Sequence, residues 1–226
     1  MRFIVNVGVG MWYPKGSMRL NSSLINIGYS GKRQIYAGYL PNDCPKHTDR
    51  NYGFKAFALK DAVEAGATSL LWCDSSIYVV KSPDPIFNII ERQGYYFIDN
   101  GNSCAQTATD KCLENFGISR DEAEKIPEIT TCVFGFSMLH KQGKEFYEQF
   151  LYHESIGSFN GGRDHRDEDS TDPRFWFCRH DQTVASLIAG MTEMSNINKY
   201  SDHVVYAKDV NTIPESVSLI NDGHVK

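Results

Sequence analysis

Short apolar runs rich in β-branched and aromatic residues recur at 3–9 (FIVNVGV), 33–39 (RQIYAGY), 69–73 (SLLWC), 77–80 (IYVV), 95–99 (YYFID), 130–138 (TTCVFGFSM) and 203–207 (HVVYA). Runs of that length and composition predict β-strands. Between them, helical patterns fall at 18–28, 53–65, 85–93, 119–126, 141–154 and 181–191. Ser119-Arg-Asp-Glu122 has the spacing of a capping box, and Gly94 and Gly190 suit helix ends. Strands alternating with helices predict an α/β fold, a mixed and mostly parallel central sheet flanked by helices. One stretch breaks the pattern. From 158 to 174 (SFNGGRDHRDEDSTDPR) no apolar residue follows Phe159, which predicts a polar, flexible, solvated loop of a length that suits a lid or plain disorder.

The 226 residues and 41% apolar share allow one domain with a full hydrophobic core. With 23 Lys+Arg against 28 Asp+Glu the net charge is −5, which argues against a general nucleic-acid binder, whose affinity rests on neutralising phosphates. No stretch approaches the roughly 20 apolar residues of a membrane span. The opening MRFIVNVGVGM is interrupted by Asn6 and followed by no small-residue cleavage site, so it reads as a buried first strand and not a signal peptide. The six cysteines are scattered, several within apolar runs, and form no Cys-x-x-Cys pair; reduced core thiols and a cytoplasmic location are expected.

Candidate chemistry concentrates in three places. In LLWCDSSIYVV a buried strand runs into Asp74-Ser75-Ser76, and ligands of open α/β sheets bind at the carboxyl ends of strands. On extended backbone Asp74 and Ser76 project the same way and offer oxygens suited to Mn²⁺ or Mg²⁺ holding a diphosphate; a turn stabilised by Asp and Ser is the alternative. A helical wheel of 53–65 sets Lys55 in the first turn amid Ala58, Leu59, Ala62 and Val63, away from Lys60, Asp61 and Glu64. A buried ammonium needs an anion, either a phosphate or an internal Asp or Glu. Third, Arg179-His180-Asp181-Gln182 opens the last helix: Asp181 is its N-cap, or Asp181 and Gln182 grip adjacent sugar hydroxyls. Gly8 and Gly10 begin a dinucleotide fingerprint whose third glycine is absent. Trp12 and Tyr13 offer rings for a base or for ordinary packing, and Asn102 a ligand contact or a plain turn. His224 is a late metal ligand or part of a frayed terminus.

The order of first-strand loop, YGFK helix, LLWCDSS strand end and late HDQ helix resembles nucleotide-sugar-dependent glycosyltransferases of the GT-A fold, over essentially the whole chain. The likeness is to the viral and phage type, which includes a chlorella-virus capsid glycosyltransferase domain. It implies a donor, most commonly UDP-linked, and a glycan or glycoprotein acceptor. It further implies a divalent cation held at the DxD position, here Asp74-Ser75-Ser76 with the second acid replaced by serine, assisted by His224. Trp12 and Tyr13 would then lie near the base and Lys55 on the phosphates. Asp181, His180 and Gln182 would lie near the donor sugar and the reacting carbon. Two other readings are a catalytically silent carbohydrate-binding or assembly protein, for which the missing second acid speaks, and a sugar-phosphate nucleotidyltransferase.

Overall fold

The computed structural model describes residues 1–162, 166–195, 197–198, 202–207 and 212–223. Its central sheet contains β1 (Arg2–Gly8), β2 (Lys32–Ala37), β3 (Ser69–Cys73), β5 (Tyr95–Tyr96) and β8 (Val133–Ser137), in the order β2-β1-β3-β8-β5. β2 and β3 both run parallel to β1, whereas β8 is antiparallel to β3 and to β5. The sheet is thus mixed and mostly parallel. A second sheet joins β4 (Ile77–Val79), β10 (Leu219–Asn221) and β9 (Val204–Tyr206). A third pairs β6 (Asp99–Ser103) with β7 (Pro127–Ile129).

Alternation along β1 feeds two cores. Phe3, Val5 and Val7 join Trp72, Phe134, Phe136, Phe146 and Phe150 on one face, covered by α2 (Phe54–Glu64), α6 (Lys141–Ser155) and α8 (Asp181–Met191). Ile4 and Leu71 face the other side with Leu20, Leu24, Phe87 and Ile90 of α1 (Tyr13–Asn26) and α3 (Asp84–Gln93). Three of the five strands, β3, β8 and the two-residue β5, are buried throughout, as a sheet covered on both faces requires.

Several elements depart from the sequence pattern for identifiable reasons. α1 starts at Tyr13 and not near residue 18, because Pro14 occupies its first turn, where a missing N–H costs nothing. The run 95–99 yields only β5, and the polar DNGNS that follows becomes β6 by pairing with β7. The run 130–138 contracts to β8. The capping box forms, Glu122 N–H donating to Ser119 Oγ at 3.2 Å and Ser119 N–H to Glu122 Oε2 at 2.7 Å, but its helix, α5 (Arg120–Ala123), is one turn long. The short α4 (Asp110–Phe116) and the strand β10 carry no signal in the sequence strong enough to predict them. Within 158–174, read from sequence as a solvated loop, Ser158, Phe159 and Ser170 are buried and Arg166–Asp169 form a helical turn, α7. All six cysteines are free. Among the described residues no helix is long and apolar enough to cross a membrane.

Two packing details are testable. A Cβ on Gly8 would sit 2.0 Å from Ser17 Oγ and 2.5 Å from the Tyr13 carbonyl. Gly8→Ala is therefore expected to lower stability by about 1–3 kcal/mol, read from the denaturant midpoint. His153 stacks flat on Phe116 at 3.6 Å and shares a 3.0 Å hydrogen bond between Nδ1 and Ser158 Oγ. Burial pushes its pKa down from 6.5 to about 4. The unfolded chain takes up this proton first as pH falls, so the stability contributed by neutral His153 is present above pH 6.5 and lost towards pH 4. Unfolding at pH 7 and pH 4 should show a decline in the wild type about 3 kcal/mol larger than in His153→Gln.

Candidate functional site

The carboxyl ends of β1 and β3 and the amino ends of α2 and α8 meet at one place. Lys55, in the first turn of α2, is 2% exposed. Its ammonium lies 2.8 Å from Asp181 Oδ2 and 3.3 Å from Asp74 Oδ1, and donates to the Thr131 carbonyl at 2.8 Å. Thr131 Oγ1 in turn donates to Asp181 Oδ2 at 2.7 Å. The indole of Trp72 donates to Asp74 Oδ1 at 2.7 Å, and its ring lies 5.2 Å from the Lys55 ammonium. Lys55 is thus the internal ion pair that the sequence left as the alternative to a phosphate contact.

Charge follows from this geometry. Burial disfavours the Lys55 ammonium, but Asp181 and Asp74 outweigh it and hold its pKa above the ordinary lysine range. Burial pushes the Asp74 carboxyl above its ordinary value, opposed by Lys55 and the Trp72 N–H. Two carboxyl groups face one ammonium.

Asp74-Ser75-Ser76 is a turn closed by Ile77 N–H donating to the Asp74 carbonyl at 2.9 Å, not the extended backbone expected from sequence. The side chains do not serve that turn. Ser75 is buried and lies 3.1 Å from Ser17 Oγ, while Asp74 and Ser76 are half-buried. Asp181 is the first residue of α8, and His180 holds the N-cap position without a capping bond, so the N-cap reading of Asp181 does not hold. Gln182 Oε1 accepts from Thr131 N–H at 3.4 Å, while its buried Nε2 has no partner.

Two cavities adjoin at Tyr52 and Asp74. One, of about 170 Å³, is lined by Val9, Trp12, Tyr13, His47, Phe54 and Ser76. Trp12 and Tyr13 stack on each other at 4.3 Å there, beyond the end of β1. The other, of about 220 Å³, is polar and lined by Lys55, Thr131, Arg179, His180, Asp181 and Gln182. Of the sequence candidates, Trp12, Tyr13, Lys55, Asp74, Ser75, Ser76, His180, Asp181 and Gln182 therefore come together. Gly8 packs against α1 and Gly10 turns the chain at φ +77°, its carbonyl accepting from Tyr13 N–H at 3.1 Å. Asn102 lines neither cavity; its amide donates to the buried Glu128 at 3.0 Å. His224 lies outside the described residues. Thr130, Thr131, Tyr52 and His47 are residues sequence reasoning passed over, whereas Arg179 stood in the polar run that opens the last helix without a role of its own.

Among the described residues no three His, Cys, Asp or Glu side chains gather as a metal cage. Asp74 Oδ1 is taken by Lys55 and Trp72, and no described residue hydrogen-bonds to Oδ2. That oxygen and Ser76 fit a hard cation that completes its shell with phosphate oxygens, the usual manner of Mg²⁺.

Solved structures share this architecture. The glycosyltransferase involved in the glycosylation of the major capsid of PBCV-1 aligns with a TM-score of 0.57 at 13% identity, over 97% of this chain and 92% of that one. The chain shares the fold of that enzyme. Mouse xyloside xylosyltransferase 1, in its apo form, aligns with a TM-score of 0.54 at 7% identity, over 97% and 96% of the two chains. At these identities the likeness is one of fold. No protein-family model matches the sequence, and no curated protein is significantly similar to it.

Removing the ammonium would leave two buried carboxylates facing each other. Lys55→Met is expected to cost about 3–5 kcal/mol at neutral pH, measured by chemical denaturation. The folded pKa of Lys55 is raised, so its contribution is complete below the unfolded value of 10.5 and declines as pH climbs towards the folded one. The gap between wild type and variant should accordingly narrow above pH 10.5.

Proposed function

We propose that the protein is a glycosyltransferase that moves a sugar from a nucleoside-diphosphate donor, UDP-linked, to a hydroxyl of a glycan or protein-linked glycan. The observation that carries this reading is the junction at Asp74 of an aromatic cavity with a polar one holding Asp181 and Gln182. The shared fold supports it by analogy. The base would occupy the aromatic cavity beside Trp12 and Tyr13, the diphosphate would pass over Asp74 and Ser76, and the sugar would enter the polar cavity.

The donor diphosphate is an anion. Asp74 with Ser76 and His224 would hold a divalent cation, Mn²⁺ or Mg²⁺, which would supply positive charge to offset that of the diphosphate. Asp181, oriented by Lys55 and Thr131, sets a fixed negative charge beside the anomeric carbon as the glycosidic bond to the diphosphate lengthens. The unpartnered Gln182 amide donates to a sugar oxygen and so fixes the ring. The acceptor oxygen bonds to the anomeric carbon, the nucleoside diphosphate departs with the bonding pair, and the hydroxyl proton passes to a base. Six free thiols fit a cytoplasmic setting.

Thermal unfolding against a panel of nucleoside diphosphates and nucleotide sugars, with and without Mn²⁺, tests the reading. UDP with Mn²⁺ at ~100 times its Kd should add about 2.7 kcal/mol to stability, and Asp74→Asn should abolish the Mn²⁺-dependent part. Glycan binding with no nucleotide effect would favour the silent carbohydrate binder. Pyrophosphate released from nucleoside triphosphate and sugar phosphate would favour the nucleotidyltransferase.

A further inference from the structure

Arg179 lines the polar cavity but belongs neither to the Lys55 cluster nor to the aromatic cavity. Behind it stands Glu128 of β7, fully buried. Glu128 Oε2 accepts from the amides of Asn100 at 2.6 Å and Asn102 at 3.0 Å, whose i, i+2 spacing on β6 points both at one carboxylate. Its Oε1 has no hydrogen bond and lies 3.8 Å from Arg179 Nε, itself buried and without a hydrogen bond. A buried carboxylate is costly unless opposed by positive charge. Among the described residues the Arg179 guanidinium is the one cation within ion-pairing distance of it. The guanidinium is also placed 5.3 Å over the Phe177 ring. Glu128 on one side and Phe177 on a face restrict the fork, while the side chain stays 37% exposed and its Nη groups bond to no described residue.

A guanidinium restrained in this way is built to meet an oxyanion pair, which a planar fork holds by two parallel hydrogen bonds. A sugar hydroxyl asks for less, and the Gln182 amide already offers a neutral donor. The other cation of the cavity, Lys55, is committed to Asp74 and Asp181. An acidic sugar entering beside those carboxylates would be repelled unless Arg179 met its charge. The diphosphate is the less suited partner, because Asp74 belongs to both cavities and Arg179 only to the one beyond it.

We propose that Arg179 determines donor specificity by gripping a carboxylate on the transferred sugar, so that the donor is a nucleoside-diphosphate-linked uronic acid, and that Glu128 is the residue positioning Arg179. This rests on the glycosyl-transfer reading above. Calorimetry on the full chain with Mn²⁺ and UDP, UDP-glucose or UDP-glucuronate tests it. UDP-glucuronate should bind about 10- to 100-fold more tightly than UDP-glucose, as expected for a hydrogen-bonded charge pair. Arg179→Gln should bring the two sugars to parity with little change for UDP, and Arg179→Lys should keep part of the preference. Glu128→Gln should shrink the preference while UDP affinity and melting temperature hold, which a purely structural role for Glu128 would not produce. Equal binding of the two sugars by the wild type, or an Arg179→Gln loss as large for UDP as for UDP-glucuronate, overturns the proposal and leaves glycosyl transfer standing. A wild type that binds none of the three nucleotides overturns both.

Discussion

The structure turns on one buried ammonium. Lys55 is supplied by the first turn of α2, and its partners come from the end of β3, the segment before β8 and the start of α8. An unpaired ammonium in that position would cost several kcal/mol, so the four segments are held together by a common need to neutralise it. Helix polarity contributes as well, since Asp181 in the first turn of α8 faces the positive end of that helix. The same contact that organises the fold sets the chemistry. The polar cavity sets the carboxyl groups of Asp74 and Asp181 and the Lys55 ammonium beside the Arg179 guanidinium.

The sequence made part of this legible. Lys55 stands out because period-3.6 geometry puts it among alanines and leucines, and α8 is readable from its first residue to its last because the polar RHDQ run ends where a buried apolar helix begins. Asp74 is readable as the end of a strand with no polar residue after Ser69. What the pattern could not supply was pairing. Nothing in the 130–138 run announces that β8 lies antiparallel between β3 and β5, since direction is set by the connections and not by the strand itself. β6 is invisible for a related reason: DNGNS has poor strand propensity and is extended because β7 offers it a partner. Glu128 was lost with it, because a glutamate in PEI gives no hint of complete burial until the two asparagines opposite are known.

The Asp74-Ser75-Ser76 turn shows how a motif read by letter divides by role. Ser75 Oγ approaches Ser17 and the β1 end, and Gly16 is required beside it, since a Cβ there would come within 2.1 Å of the Ser75 carbonyl. The middle residue is therefore a packing element that locks α1 under the turn. Asp74, Ser75 and Ser76 all line the aromatic cavity, on a turn and not on extended backbone.

His180 completes this economy of positions. It adopts φ +52° and ψ −120°, a conformation that costs a non-glycine residue about 1–3 kcal/mol and survives only where its surroundings over-determine it. Its ring is held by a 2.9 Å bond between Nδ1 and the Phe159 carbonyl; a carbonyl only accepts, so Nδ1 carries the proton. Tyr52 packs against the same ring at 5.2 Å. The reversal at His180 is what lets neighbouring residues diverge, Asp181 entering the helix towards Lys55 while Arg179 faces Glu128 across the other wall. An ordinary helix entry would direct both side chains by the regular advance of the backbone and could not give one negative and one positive group to opposite sides of a single cavity. The strain at His180 is thus tied to the arrangement of charge, and Phe159, the last apolar residue before the polar stretch, is where it is anchored.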